Sequence, residues 1–202
     1  MRSYAALFLT MLISVSSAGA VRSWKPKFEN RFSLMPIFYF DDVGQDTSQR
    51  SSIVKEEFVF TKTPFASCHA STLTETSPGH LLCAYFAGTF EGETDVAIWL
   101  SSFDEKRWSE PRKVADVEKN PCWNPVLFTM PSGEVLLFYK GGPNPQTWSG
   151  FLKRSITQGK EWSDPELLPA GILGPVRSKP LLLKNGTLLC DSSTETWRRW
   201  GC

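Results

Sequence analysis

Cys122-Trp123-Asn124-Pro125-Val126-Leu127-Phe128 opens a stretch that runs to Trp162 and recurs along the chain. A turn at Pro131-Ser132-Gly133 follows it, then the apolar run Val135-Leu136-Leu137-Phe138-Tyr139-Lys140. A Gly/Pro loop, the segment Phe151 to Ser155 and a turn closing on Trp162-Ser163-Asp164-Pro165 complete the unit. Moved back by 54 residues the stretch matches without a gap: Gly133 falls on Gly79, Tyr139 on Tyr85, Ser155 on Ser101 and Trp162 on Trp108. Moved forward by about 53, Gly186-Thr187-Leu188-Leu189 takes the place of Gly133 to Leu136. Self-similarity at a fixed period marks a stacked or radial repeat architecture.

Each unit opens on a short strand pattern: His69 to Thr74, Asn124 to Thr129 and Lys179 to Leu183. A turn rich in Gly, Pro and Asn comes next, supplying the positive φ that tight hairpins need. A second strand follows at Leu81 to Phe86, Val135 to Lys140 and Leu188 to Ser192. The first two units add a third strand (Val96 to Ser101, Phe151 to Ser155) and a fourth segment (Arg112 to Val114, Glu166 to Leu168). Four short strands per unit of about 50 residues, with no helical period, describe a β-propeller blade. The expected fold is therefore all-β, a partial β-propeller of about two and a half blades over residues 56–202. Propellers close with about four to eight blades, so a partial chain with open strand edges is expected. Glu56 to Thr61 reads as one more strand.

Arg2, the apolar run Ala5 to Val15 and the small residues ending at Ala20 form a secretory signal pattern over residues 1–20. Its apolar part is short for a membrane span. Residues 21–55 form a lead-in with weak periodicity, and no later stretch reaches transmembrane length. A secreted protein with no membrane contact after signal cleavage is expected. The net charge of +1 gives no basic field for nucleic acid. The five cysteines form no C-x-x-C pair and there are only two histidines, so neither a metal nor another cofactor is called for. Cys83 and Cys190 fall inside apolar runs, as buried thiols do. Asn185-Gly186-Thr187 is an N-glycosylation sequon in a turn.

Aligned on their starts, the units place His69, Asn124 and Lys179 each 55 apart, at the heads of the innermost strands. Heads of that kind ring the central funnel of a propeller. The second strands end at the same pole, bringing Lys140, and the loops after them carry Glu91, Glu93, Asp95 and Trp148. Arg177 precedes Lys179, and Glu195 follows the third second strand. Cations, carboxylates and an aromatic ring in one funnel suit an acidic sugar. Lys140, Arg177 and Lys179 would hold its carboxylate, with Asn124, Trp148 and Glu195 beside them. Asp95 or Glu91 would act as the acid, and His69 as a polar or basic group. The plainer alternatives are a strand-end histidine at His69 and solvated loop charges at Glu91, Glu93 and Asp95. Trp108 and Trp162 read as core.

Ser155-Ile156-Thr157-Gln158-Gly159-Lys160-Glu161-Trp162 resembles the S-x-D-x-G-x-x-W box of the sialidase (neuraminidase) superfamily with BNR or Asp-box repeats. Thr157 stands at its Asp place. The earlier copy, Ser101 to Trp108, has Phe103 and Glu105 at the Asp and Gly places. The strings Cys68-His69-Ala70-Ser71-Thr72 and Pro121-Cys122-Trp123-Asn124-Pro125 resemble its sialidase-like branch, as do Glu91 to Trp99 and Gly171 to Pro175. The resemblance implies a six-bladed propeller when complete, boxes that act as structural turns, and exo-glycosidase cleavage of an acidic sugar. The family's first arginine would head the first blade, where this chain reads Ala66-Ser67-Cys68-His69. Two other activities fit the same funnel. One is a polysaccharide lyase acting on a uronate, with His69 as base; the other is glycan binding without turnover.

Overall fold

The computed structural model describes residues 55–201; the signal pattern, the lead-in up to residue 54 and Cys202 lie outside them. Two four-stranded antiparallel sheets follow one another in simple meander order. The first holds β1 (Ser67–Ser77), β2 (His80–Gly88), β3 (Ala97–Asp104) and β4 (Arg112–Ala115). The second holds β5 (Cys122–Thr129), β6 (Val135–Gly141), β7 (Ser149–Ser155) and β8 (Glu166–Leu167). A third unit contributes two short hairpins, β9 (Leu181–Leu182) with β10 (Leu188–Leu189), and β11 (Thr194–Glu195) with β12 (Trp200–Gly201). This is the expected all-β architecture: two blades and the start of a third.

The apolar second strands are explained by what covers them. Side chains alternate across a strand. On β2, Leu82, Ala84 and Phe86 face the second sheet and join one core with Ile98, Leu100, Leu127, Leu137 and Tyr139. Cys83, Tyr85 and Ala87 face the other way, against Val59, Phe60, Phe65 and Trp99. On β6, Val135, Leu137 and Tyr139 face the first sheet, while Leu136 and Phe138 pack with Val126, Leu152 and Leu188. A sheet covered on both faces reads as a continuous apolar run. The first strands of the units approach one another. Thr74 and Thr129 share a hydroxyl–hydroxyl bond of 3.0 Å, the Leu127 amide donates to Thr72 Oγ1, and Lys179 Nζ donates to the Leu73 carbonyl.

Glu56 to Thr61 is not a strand. Val59 and Phe60 pack across the outer face of β2, and Phe60 lies 5.1 Å from the Tyr85 ring, so side-chain burial holds this segment in place of a backbone ladder.

The two boxes are turns at the pole opposite the strand starts. Ser155 Oγ accepts from the Gly159 amide (2.9 Å), and Thr157 Oγ1 accepts from the Glu161 amide (2.8 Å). The threonine at the box's Asp place thus accepts a backbone hydrogen bond within the turn. Gly159 has φ +80, and a Cβ there would stand 2.5 Å from Leu82 Cδ1 on the neighbouring sheet. Gly159→Ala is therefore expected to cost about 2 kcal/mol, combining a left-handed alanine with mild overpacking. Denaturant unfolding measures it; an unchanged midpoint would show that Leu82 moves aside freely.

Candidate functional site

β1 and β5 each carry a bulge near their start. Pairing jumps from His69–Phe86 to Thr72–Ala84 in the first sheet, and from Trp123–Lys140 to Val126–Phe138 in the second. The skipped residues Ala70 (φ 52) and Asn124 (φ 37) take left-handed backbone. Bulges re-aim side chains and gather next to sites. They also correct the expected ring. His69 and Trp123 each lie ten residues before their turn glycine (Gly79, Gly133), and Ala70 and Asn124 lie nine before. Arg177 lies nine before Gly186, and Lys179 only seven. His69, Asn124 and Lys179 are therefore not equivalent. The strand pairings match His69 with Trp123 and Ala70 with Asn124, and Arg177 has the same offset from its turn glycine as those last two.

What the strand starts form is a row of rings. His69 meets the edge of Phe86 (centroids 5.7 Å apart, planes at 67°), Phe86 meets Trp123 (5.9 Å), and Trp123 meets Trp148 (5.6 Å). Phe86 and Trp123 are buried, His69 is exposed, and Trp148 is half-buried. Trp123 Nε1 donates to the Gly142 carbonyl at 2.7 Å, which fixes the middle of the row. Trp148 Nε1 and Ser193 Oγ are shielded from solvent and meet no partner among the described residues, as is also true of Trp162 Nε1 in the second box. The short 3-10 turn Pro145–Thr147 just before Trp148 packs on β11, which begins one residue after Ser193. Trp148 Nε1 and Ser193 Oγ, on neighbouring segments, leave unmet hydrogen-bonding capacity beside the aromatic row.

The loop from Thr89 to Asp95 closes over this row. A Cβ on Gly92 would lie 3.6 Å from the Trp123 ring. Asp95 holds the loop shut, accepting from the Thr89 amide (2.9 Å) and hydroxyl (2.7 Å). The Thr89 hydroxyl, with its amide in support, keeps the Asp95 carboxyl below its ordinary value. Asp95 is thereby a poor proton donor and a good loop staple. Glu91, at the loop tip, is exposed.

The cations separate. Lys140 is fully buried, and Nζ donates to the Pro175 carbonyl and, at 3.4 Å, to the Asn124 carbonyl. A dissolved substrate does not reach it. Its place follows from β6: it shares parity with Leu136 and Phe138, which face the third unit. Lys179 is exposed, with Nζ on the Leu73 carbonyl. Arg177 is exposed at the position equivalent to Asn124. Glu195 Oε1 accepts from Trp200 Nε1 at 2.8 Å, so it is tied into the last hairpin. Asn185 lies in the β9–β10 turn at the opposite pole, exposed, with Oδ1 accepting from the Thr187 amide.

The geometry thus joins His69 and Trp148 of the expected set through Phe86 and Trp123, with Glu91 at the loop above. It takes Lys140 out of reach and gives Asp95 a structural task. Trp123 is the member that the sequence reading passed over as a site residue. Its offset from the turn glycine, identical to that of His69, is the signal that finds it.

A protein-family profile described as BNR repeat-like domain matches residues 79–202. A solved structure from Dyadobacter fermentans DSM 18053, titled as a protein of unknown function, aligns with TM-score 0.47 and 16% identity. The alignment covers 59% of this chain and 44% of that one. The Hadza microbial sialidase Hz136 aligns with TM-score 0.49 and 16% identity, over 60% of this chain and 31% of that one. The chain thus spans less than half the length of either. No curated protein matches it.

Proposed function

The chain belongs to the BNR repeat-like domain family, and from that premise we propose that it is a sialidase-like protein that binds an acidic glycan at the pole where β1 and β5 begin. The observation that carries the reading is the row His69–Phe86–Trp123–Trp148, ending in an indole N–H with no acceptor among the described residues. A sugar offers such a row an apolar face to stack on and hydroxyls to accept from the N–H. Arg177 is exposed and makes no ion pair among the described residues, and as a fork donor it suits a carboxylate. Export after loss of residues 1–20 would carry the protein to extracellular glycans and leave Asn185 open to N-glycosylation.

Binding is better supported than cleavage. A glycosidase needs a protonated carboxyl at the leaving oxygen. Asp95 is held ionised, which leaves Glu91 for that role with His69 beside it. In an intact propeller those two would carry hydrolysis of an acidic sugar. Elimination at a uronate would instead use His69 as base.

The full chain should be titrated with sialyllactose and with a glucuronate-containing oligosaccharide, while free sugar and ultraviolet-absorbing unsaturated uronate are monitored. The expected result is binding with neither product. Trp148→Ala should weaken it about tenfold, as loss of a central aromatic anchor does. Turnover would overturn the binding-only reading, and affinity unchanged in Trp148→Ala would remove the aromatic row from the site.

A further inference from the structure

A recess of about 470 Å³ opens at the pole opposite the aromatic row, between the β2–β3 end of the first blade and the box turn of the second. Volumes of this order hold small molecules, on a scale of roughly 300–1,000 Å³. Its walls are partly apolar, through Leu82 and Phe103, and its polar lining includes Arg112, His80 and Lys160. Arg112 is the unusual member. It is half-buried, reaches across from β4, and donates one Nη2 bond to the Gly159 carbonyl of the neighbouring blade. A guanidinium has five N–H donors. Among the described residues no carboxylate lies within ion-pair distance of it. Burial alone pulls its basicity down, with no charge partner to restore it.

Asp104 also lines the recess, and it and the neighbouring Glu105 are already engaged. Asp104 Oδ1 accepts from the amides of Lys106 and Arg107, and Glu105 Oε1 lies 3.6 Å from His80 Nε2. Lys160 is exposed at the recess wall. A partly desolvated guanidinium calls for an anion, and charged groups taken from water are normally paired. We propose that this recess is a second binding site, taking a sugar-sized molecule that bears one carboxylate or sulfate group. The oxyanion sits on Arg112 with Lys160 in support, and the rest of the molecule rests on Phe103 and Leu82. The site bridges two blades, so its occupant also fastens the first box turn to the second.

Glucuronate, inorganic sulfate and neutral glucose serve as probes in an amide NMR titration of the full chain. Millimolar glucuronate should shift the Gly159 and Ser102 amides, sulfate should compete with it, and glucose should do neither. Arg112→Gln should lose at least tenfold in affinity, whereas Trp148→Ala should keep it, which separates this site from the aromatic row. Should Arg112→Gln not fold, Lys160→Ala, a change at an exposed side chain, should still weaken binding about threefold. Silence with both anions, an equal response to glucose, or full affinity retained in Lys160→Ala would overturn the proposal. Binding of sulfate without glucuronate would overturn its sugar-sized part.

Discussion

Gly150→Ala is expected to destabilise the chain by about 3–5 kcal/mol, summing overpacking against backbone with a lost charge-assisted bond. Gly150 sits on β7 opposite Lys140 and is buried. A Cβ there would meet the Ile172 and Leu173 carbonyl oxygens, both at 2.7 Å. Backbone oxygens cannot swing away as a leucine tip can, so the segment from Pro169 to Gly174 must lift. That segment leads directly into Pro175, whose carbonyl receives Lys140 Nζ. Lifting it strips a buried ammonium of a partner, which is the costly way to break such a contact. Urea denaturation gives the free energy, and a change under about 1 kcal/mol would show that the seat on β7 is looser than this spacing requires. Loss of Pro175 should also loosen Arg177 two residues later, so the variant should weaken acidic-glycan binding along with stability.

Most of the frame was legible in the repeat. Both complete blades fall within a few residues of the expected strands, because doubly covered sheets give long apolar runs and their turns give glycines. Three features were not legible, each for a physical reason. The bulges at Ala70 and Asn124 insert residues without leaving any mark in composition, so a ring built on the spacing of 55 mixed two different rows. The uniform offset of 54 between the first two units would have paired His69 with Trp123. Lys140 has the charge of a funnel cation, and because both faces of β6 are apolar its parity in the sequence does not distinguish a buried ammonium from a funnel one. Glu56 to Thr61 has strand composition, but pairing is a long-range property that local pattern does not report.

Lys140 gives the second large effect, read through pH. Burial, partly offset by the Asp191 carboxylate and the Cys190 thiol, lowers its pKa from 10.5 to about 7. The sign follows from which state binds the proton. Between pH 7 and 10.5 the unfolded chain keeps this proton more readily than the folded one, so stability rises with pH, by up to about 1.4 kcal/mol per unit. Below pH 7 both states are charged and the full burden of the buried ammonium remains. Cys83 and Cys122 act in the opposite sense: burial pushes their folded values up to about 11 and about 12 from 9.0, so they subtract stability above pH 9. The wild-type chain should accordingly gain stability from pH 7 to about 9 and lose the gain beyond. Lys140→Met leaves the thiols in place and removes the ammonium. Its stability relative to wild type should therefore fall by roughly 2–4 kcal/mol between pH 6.5 and 10, in proportion to the shift. A difference that stays flat across that range would mean that Lys140 keeps its proton throughout, with the carbonyls of Pro175 and Asn124 solvating it as well as water does.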